Sequence, residues 1–186
     1  IDPLNKIIEV MKDSPYFSDL HLIRKNADRL LKVINQILDF RKLEHSKETV
    51  KIHPVEIVSF TEEIKSYFES MAQSRNIGLH FFTAMSKEEL WVDANMMEKV
   101  FVNLLSNAFK FTPDGGKIEV SLSEDEKHVF IDIKDNGRGI ETERIPYLFD
   151  QFYTENSPSG TGIGLHLAKE YVVLHHGDIT VSSILG

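Results

Sequence analysis

Apolar positions are spaced in two different ways along this chain. From about Ser18 to Leu43, Leu20, Ile23, Ala27, Leu30, Ile34 and Ile37 step by 3, 4, 3, 4 and 3 residues. That spacing predicts one long helix with a single apolar stripe. Leu31 and Leu38 widen the stripe beyond a two-stranded seam, towards a bundle. A shorter stripe, Leu4, Ile7, Ile8 and Met11, predicts a helix over Pro3–Lys12, closed by the turn-forming run DSPYFSD. Two helices cannot enclose so wide a stripe. Pairing of a helical hairpin with a second copy as a four-helix bundle is favoured over packing against the rest of the chain.

The polar run EHSKETVKIHP ends in Pro54 and sets a boundary between residues 1–46 and 47–186. Beyond it, strand and helix spacings alternate. Val50 and Ile52 suggest a short strand; Ile57, Phe60, Ile64, Phe68 and Met71 form one helical stripe; Ile77, Leu79 and Phe81 alternate as a strand, followed by a short one at Leu90–Val92. Asp93 is placed to cap a helix running to about Phe111. Ile118, Val120 and Leu122, then Val129, Ile131 and Ile133, predict a hairpin across the charged turn SEDEK. A loop-rich stretch, Gly137–Gly160, precedes a helix over about Gly164–Leu174 and a last strand over Asp178–Ser182. The expected fold class is α/β: a two-layer sandwich of one mixed sheet with helices on one face, preceded by the helical hairpin.

Composition narrows the functions. Of 186 residues, 21 are basic and 29 acidic, a net charge of −8, which argues against a general binder of nucleic acid or anionic membrane but leaves room for an anionic small ligand held by local cations. The chain has no cysteine, which removes disulfides, thiol catalysis and thiolate metal sites. No run of eighteen apolar residues is present, so direct membrane insertion is not expected.

Three clusters carry candidate chemistry. In NLLSNAFKFTPDGG, Asn103, Asn107 and then Lys110 or Phe111 share one helix face. Asparagine is a mediocre helix former, and its neutral oxygen suits Mg²⁺, which takes few protein ligands beside phosphate and water oxygens. In DNGRGI, Asp135 ends a strand where its carboxylate can accept from an exocyclic amino group, and Gly137 and Gly139 permit close approach of a ligand. In SGTGIGL, glycines lead into a helix whose N-terminus favours anions. Taken singly, these are a solvated polar face, a turn and a glycine loop. No apolar strand precedes the last, as a dinucleotide fingerprint requires, and no Lys-Ser or Lys-Thr follows it, as in Walker A.

Order and spacing say more than any single cluster. An Asn face, Asp-x-Gly-x-Gly, then Gly-x-Gly-x-Gly at a helix start resembles the ATP-binding domain of sensor histidine kinases, in the superfamily of gyrase, mismatch-repair and heat-shock chaperone ATPases. YLFDQFY, with Phe149 and Phe152, resembles the family's F box. NADRLLKVINQILDFRKLEH is similar to the second helix of the dimerisation and phosphotransfer hairpin, spelled as in hybrid kinases of two-component systems. The resemblance implies ATP and Mg²⁺ as cofactors and a catalytic set of Asn103, Asn107 and Lys110. Asn107 would hold Mg²⁺, Asn103 would lie near the phosphates, Lys110 would touch phosphate, and Phe111 would pack by the nucleotide. Asp135 would accept from the adenine amino group, with Gly137, Gly139 and Ile140 shaping that wall. Gly160, Thr161, Gly162, Ile163, Gly164 and Leu165 would wrap the phosphates, and 141–159 would form a short ATP lid. Implied partners are a second copy through the hairpin and a response-regulator receiver domain, on the cytoplasmic side of a membrane-anchored receptor.

Two further features bear on this. Hydrolysing relatives carry a glutamate where Asn103 stands, which fits transfer to protein rather than to water. The family's acceptor histidine lies in a His-Glu/Asp-x-Arg/Lys-Thr-Pro context that none of the eight histidines has. It is expected just upstream of Ile1. The alternatives are an ATPase clamp of the same superfamily and a nucleotide-sensing dimerisation module without kinase activity.

Overall fold

A computed structural model describes residues 10, 15–45, 49–85, 89–154 and 161–185. The chain divides into two compact units, 1–47 and 48–186. In the first, helix α1 spans Phe17–Glu44, and none of its residues is buried. Leu30, Ile34, Ile37 and Leu38 of the apolar stripe are exposed. Its surface carries the i,i+4 pair Arg24–Asp28 at 3.8 Å. The shorter helix expected over Pro3–Lys12 lies outside the described residues, apart from Val10.

The second unit contains β1 (His53–Glu56), α2 (Ile57–Ser66), α3 (Glu69–Ser74), β2 (Gly78–Thr83), β3 (Glu89–Val92), α4 (Ala94–Phe111), β4 (Lys117–Glu124), β5 (Val129–Asp135) and α5 (Gly164–Leu174). β2, β4 and β5 form the mixed sheet, with β2 parallel and β5 antiparallel to the central β4. Ile118, Val120 and Leu122 of β4 are fully buried. Ile118 and Val120 meet Ile64, Phe68, Phe101, Leu105 and Phe109 from the helices in one hydrophobic core. Burying side chains of this size stabilises by about 1.5–3 kcal/mol each.

Several expectations shift. The first strand begins at His53 rather than Val50, because the Lys51 N–H donates to the Asp93 carboxylate at 2.8 Å and β3 offers partners only to 53–56. β1 and β3 pair as a separate two-stranded ribbon. The stripe from Ile57 to Met71 is not one helix. It tightens at Tyr67 and Phe68, whose N–H groups donate three residues back to Ile64 and Lys65, and Phe68 turns inward to stack on Phe109 at 5.3 Å. Residues 178–182 join no sheet. That segment is tied through Ser183, whose hydroxyl accepts from the Ile140 N–H at 3.0 Å. Within the expected loop after Gly137, Thr142–Tyr147 forms a 3-10 turn.

Asp93 starts α4. Its carboxylate accepts from the N–H groups of Lys51, Asn95 and Met96 at 2.8–3.2 Å. Burial opposes its ionisation, yet the three N–H bonds outweigh that and hold its pKa below the ordinary 3.8. The Asp93 N–H donates to His175 Nε2 at 2.9 Å, while His175 Nδ1 donates to the Tyr171 carbonyl at 2.7 Å. One imidazole thus joins the start of α4 to the end of α5.

Asp93→Ala is expected to lower stability by about 1–2 kcal/mol at neutral pH, the upper range for losing an N-cap. A depressed folded-state pKa makes this contribution full above the unfolded pKa. It is lost as pH falls through the lower folded value. Denaturant titrations of both proteins from pH 7 to 2.5 should therefore show the gap narrowing below pH 3.8.

Candidate nucleotide site

α4 carries the asparagine face. Asn103 and Asn107 are half-buried along it, and Lys110 is exposed at its last turn. The helix holds this position because its opposite face, with Phe101, Leu105 and Phe109, is buried. At its end the Lys110 ammonium lies over the Phe111 ring at 4.9 Å, and the Arg138 guanidinium lies at the same distance from that ring. Each such contact is worth about 0.5–1 kcal/mol at an exposed site.

The DNGRGI stretch, the first glycine box (SGTGIGL being the second), closes directly on this helix end. A Cβ at Gly137 would stand 2.7 Å from the Phe111 carbonyl oxygen and 2.7 Å from Asp135 Oδ1. Only a residue without a side chain fits there. The Gly137 N–H donates to Asp135 Oδ1 at 2.9 Å, which fixes the carboxylate at the end of β5. A carboxylate has about four acceptor positions, so Asp135 keeps capacity for a further donor. Asn136 locks the turn to β4: its side chain accepts from the Lys117 N–H at 2.7 Å, and its own N–H donates to the Lys117 carbonyl at 3.2 Å. Gly139 and Ile140 follow against the 183–185 segment.

A second cluster gathers at the start of α5. Gly162 has φ +69°, and its Cα faces the Phe152 backbone so closely that a side chain would collide with it. The Phe152 N–H donates to the Gly162 carbonyl at 3.0 Å, and Phe152 is itself left-handed at φ +60°. The Phe152 ring is 62% exposed, so it is the backbone at this position that joins the two boxes. Phe149 is held against α5 by two residues of that helix. His166 Nδ1 donates to the Phe149 carbonyl at 3.1 Å, and the Lys169 ammonium lies 5.7 Å from the Phe149 ring centre.

Thr161 Oγ1 accepts from the Ile163 N–H at 3.3 Å. Ile163 is buried, and Gly164 and Leu165 open α5, whose first turn has no side-chain cap. Gly160 lies outside the described residues. The two clusters meet through α4 and α5, where the Lys99 ammonium sits over the buried Tyr171 ring at 5.5 Å.

The sequence pattern did not single out Arg138, His166 or Lys169 as parts of these clusters. Arg138 was legible as the variable residue inside DNGRGI, but nothing in spacing pairs it with Phe111. For His166 the clue would have been a polar residue one turn into an apolar helix. Among the described residues no group of three or more His, Cys, Asp or Glu could hold a metal. A cation here would take the amide oxygen of α4 and oxygens of a ligand, which suits Mg²⁺.

The chain matches known proteins throughout. Residues 92–186 match the family model for the histidine kinase-, DNA gyrase B- and HSP90-like ATPases. Histidine kinase P4 of Formosa agariphila is 35% identical over 96% of this chain. The chain spans 14% of that relative's length. Full-length ShkA in complex with AMPPNP shares the fold over all of this chain and 41% of its own, with TM-score 0.81 and 21% identity. The histidine kinase ThkA in complex with the response regulator TrrA does so over 94% of this chain and 50% of its own, with TM-score 0.70 and 22% identity. The matched region encloses the asparagine face of α4, both glycine-rich stretches and Phe149–Phe152. The chain belongs to the histidine kinase-, DNA gyrase B- and HSP90-like ATPase family.

Proposed function

We propose that this chain is the ATP-binding catalytic core of a sensor histidine kinase, serving transfer of the γ-phosphate to a histidine and onward to a response-regulator aspartate. The observation that carries the reading is the seating of the first glycine box on the end of α4. Gly137 abuts the Phe111 carbonyl while its N–H orients the Asp135 carboxylate. An adenine amino group can then donate to the carboxylate beside the residues that meet the phosphates. Asn107 would hold Mg²⁺ through its amide oxygen, with Asn103 one turn earlier. The bound cation would supply charge neutralisation at the β- and γ-phosphates. Lys110 would add a positive charge there, and Thr161, Gly162, Ile163, Gly164 and Leu165 would offer backbone N–H groups at the start of α5.

Asn103 is what favours kinase over ATPase. An amide cannot take a proton from water, so hydrolysis lacks a general base at that position. The exposed stripe of α1, from Ile23 to Leu38, supports pairing with a second copy through the helical unit. A receiver domain is the proposed protein partner, as in the ThkA–TrrA complex. Residues 1–46 would form the dimerisation part and 47–186 the catalytic domain. Among the described residues no helix is long and apolar enough to cross a membrane.

Calorimetric titration with ATP, with and without Mg²⁺, tests the reading; a folded protein that binds neither form would refute it. Asp135→Ala is expected to weaken ATP binding by about tenfold to a hundredfold, the range for one hydrogen bond to a charged group. It should also narrow the preference for ATP over GTP, measured in the same titrations.

Asn107→Ala separates metal from base. Most of the Mg²⁺-dependent gain in affinity should disappear while metal-free binding stays close to the parent value. Equal loss of both parts would count against Asn107 as the metal ligand.

Phosphate transfer gives a further outcome. None of the eight histidines has the acceptor context, so incubation with labelled ATP is expected to leave no acid-labile, base-stable label on this chain. Such a label would identify an acceptor among them and overturn that assignment.

A further inference from the structure

Arg75, in the turn between α3 and β2, makes an arrangement that the asparagine face and glycine boxes do not account for. Its Nη1 donates to the Phe109 carbonyl, its Nη2 to the Thr112 carbonyl at 2.7 Å, and its Nε to Asp114 Oδ1 at 2.7 Å. Its own carbonyl accepts from the Gly115 N–H at 3.0 Å. The last carbonyls of a helix have no partner within it. Here the shortage is greater, because the residue four beyond Phe109 is Pro113, which has no N–H. Arg75 replaces that missing donor and, with the same planar group, reaches the Thr112 carbonyl as well. The Asp114 side chain is 76% exposed, so that ion pair is screened and adds little. The two carbonyls are the anchored groups.

The two carbonyls bracket Lys110 and Phe111. Between them, the Lys110 ammonium rests over the Phe111 ring, and the Phe111 carbonyl forms the floor under Gly137. Behind the guanidinium the turn is itself fixed. Asn76 is left-handed at φ +52°, and the Ile77 N–H donates to the Ala72 carbonyl at 2.8 Å. We propose that Arg75 is a positioning residue for nucleotide binding, acting through Lys110: it holds the last turn of α4 in the one arrangement that presents the Lys110 ammonium to the phosphates of ATP. This rests on the nucleotide-binding reading above. A lysine cannot substitute, since an ammonium is a point charge and cannot span two carbonyls as the guanidinium fork does.

The test is a double-mutant cycle read by Mg·ATP calorimetry, with melting temperature recorded for each protein. Arg75→Lys, chosen to keep the charge and the fold, is expected to weaken Mg·ATP binding roughly tenfold, within the coupling found inside one contact network. In a Lys110→Ala background the same change should have less than about a twofold effect, because the residue it positions is gone. A lower melting temperature with unchanged Mg·ATP affinity would reduce Arg75 to a structural cap and overturn the proposal. So would an equal loss in both backgrounds. If the parent protein itself fails to bind Mg·ATP, the nucleotide reading falls and this inference with it; a parent that binds, beside a neutral Arg75→Lys, removes the inference alone.

Discussion

An α-helix leaves four N–H groups at one end and four carbonyls at the other without partners, and α4 cannot supply them. This constraint organises the second unit. Two of the N–H groups, those of Asn95 and Met96, are met by the Asp93 carboxylate, which also draws in Lys51 ahead of the β1–β3 ribbon. The carbonyls are met by Arg75 from a turn more than thirty residues away and by the Thr112 hydroxyl, which donates to Ala108 at 2.7 Å. Both ends of the helix that carries Asn103, Asn107 and Lys110 are thus fixed by distant parts of the chain. The asparagine face can be polar and half-buried because the opposite face and both ends hold the helix in place.

The parts of the fold that were legible in the sequence are those set by local periodicity. The ends of α4 and α5, the β4–β5 hairpin and the long α1 follow from apolar spacing and from Asp93 as a cap. The parts that were not legible depend on partners remote in sequence. Val50 and Ile52 alternate like a strand, yet the Lys51 N–H is taken by Asp93 and the ladder starts later. Residues 178–182 carry strand spacing but join no ladder; the segment is tied to Ile140 through Ser183. The break between α2 and α3 answers to Phe109, a core partner some forty residues on.

The site shows the same division. Asp135, Gly137, Gly139 and Gly162 could be named from their motifs, because a glycine box is a statement about backbone. What could not be read was how the boxes are fastened: Phe152 to Gly162 by backbone, Phe149 to α5 through His166 and Lys169, Phe111 between two cations. These fastenings use residue types with many surface roles. Spacing alone gives no reason to prefer one of them.

The imidazole of His175 gives α5 a mechanical character of its own. It pins one end of an eleven-residue helix to the start of α4, while the second glycine box sits at the other end. Such a helix is about 16 Å long. A rotation of about 5° around the pinned end would carry the glycine box by roughly 1.4 Å, half the length of a hydrogen bond. α5 is fastened at that far end as well, through Phe152 and Phe149, so a displacement set at His175 would be resisted where the phosphates would lie.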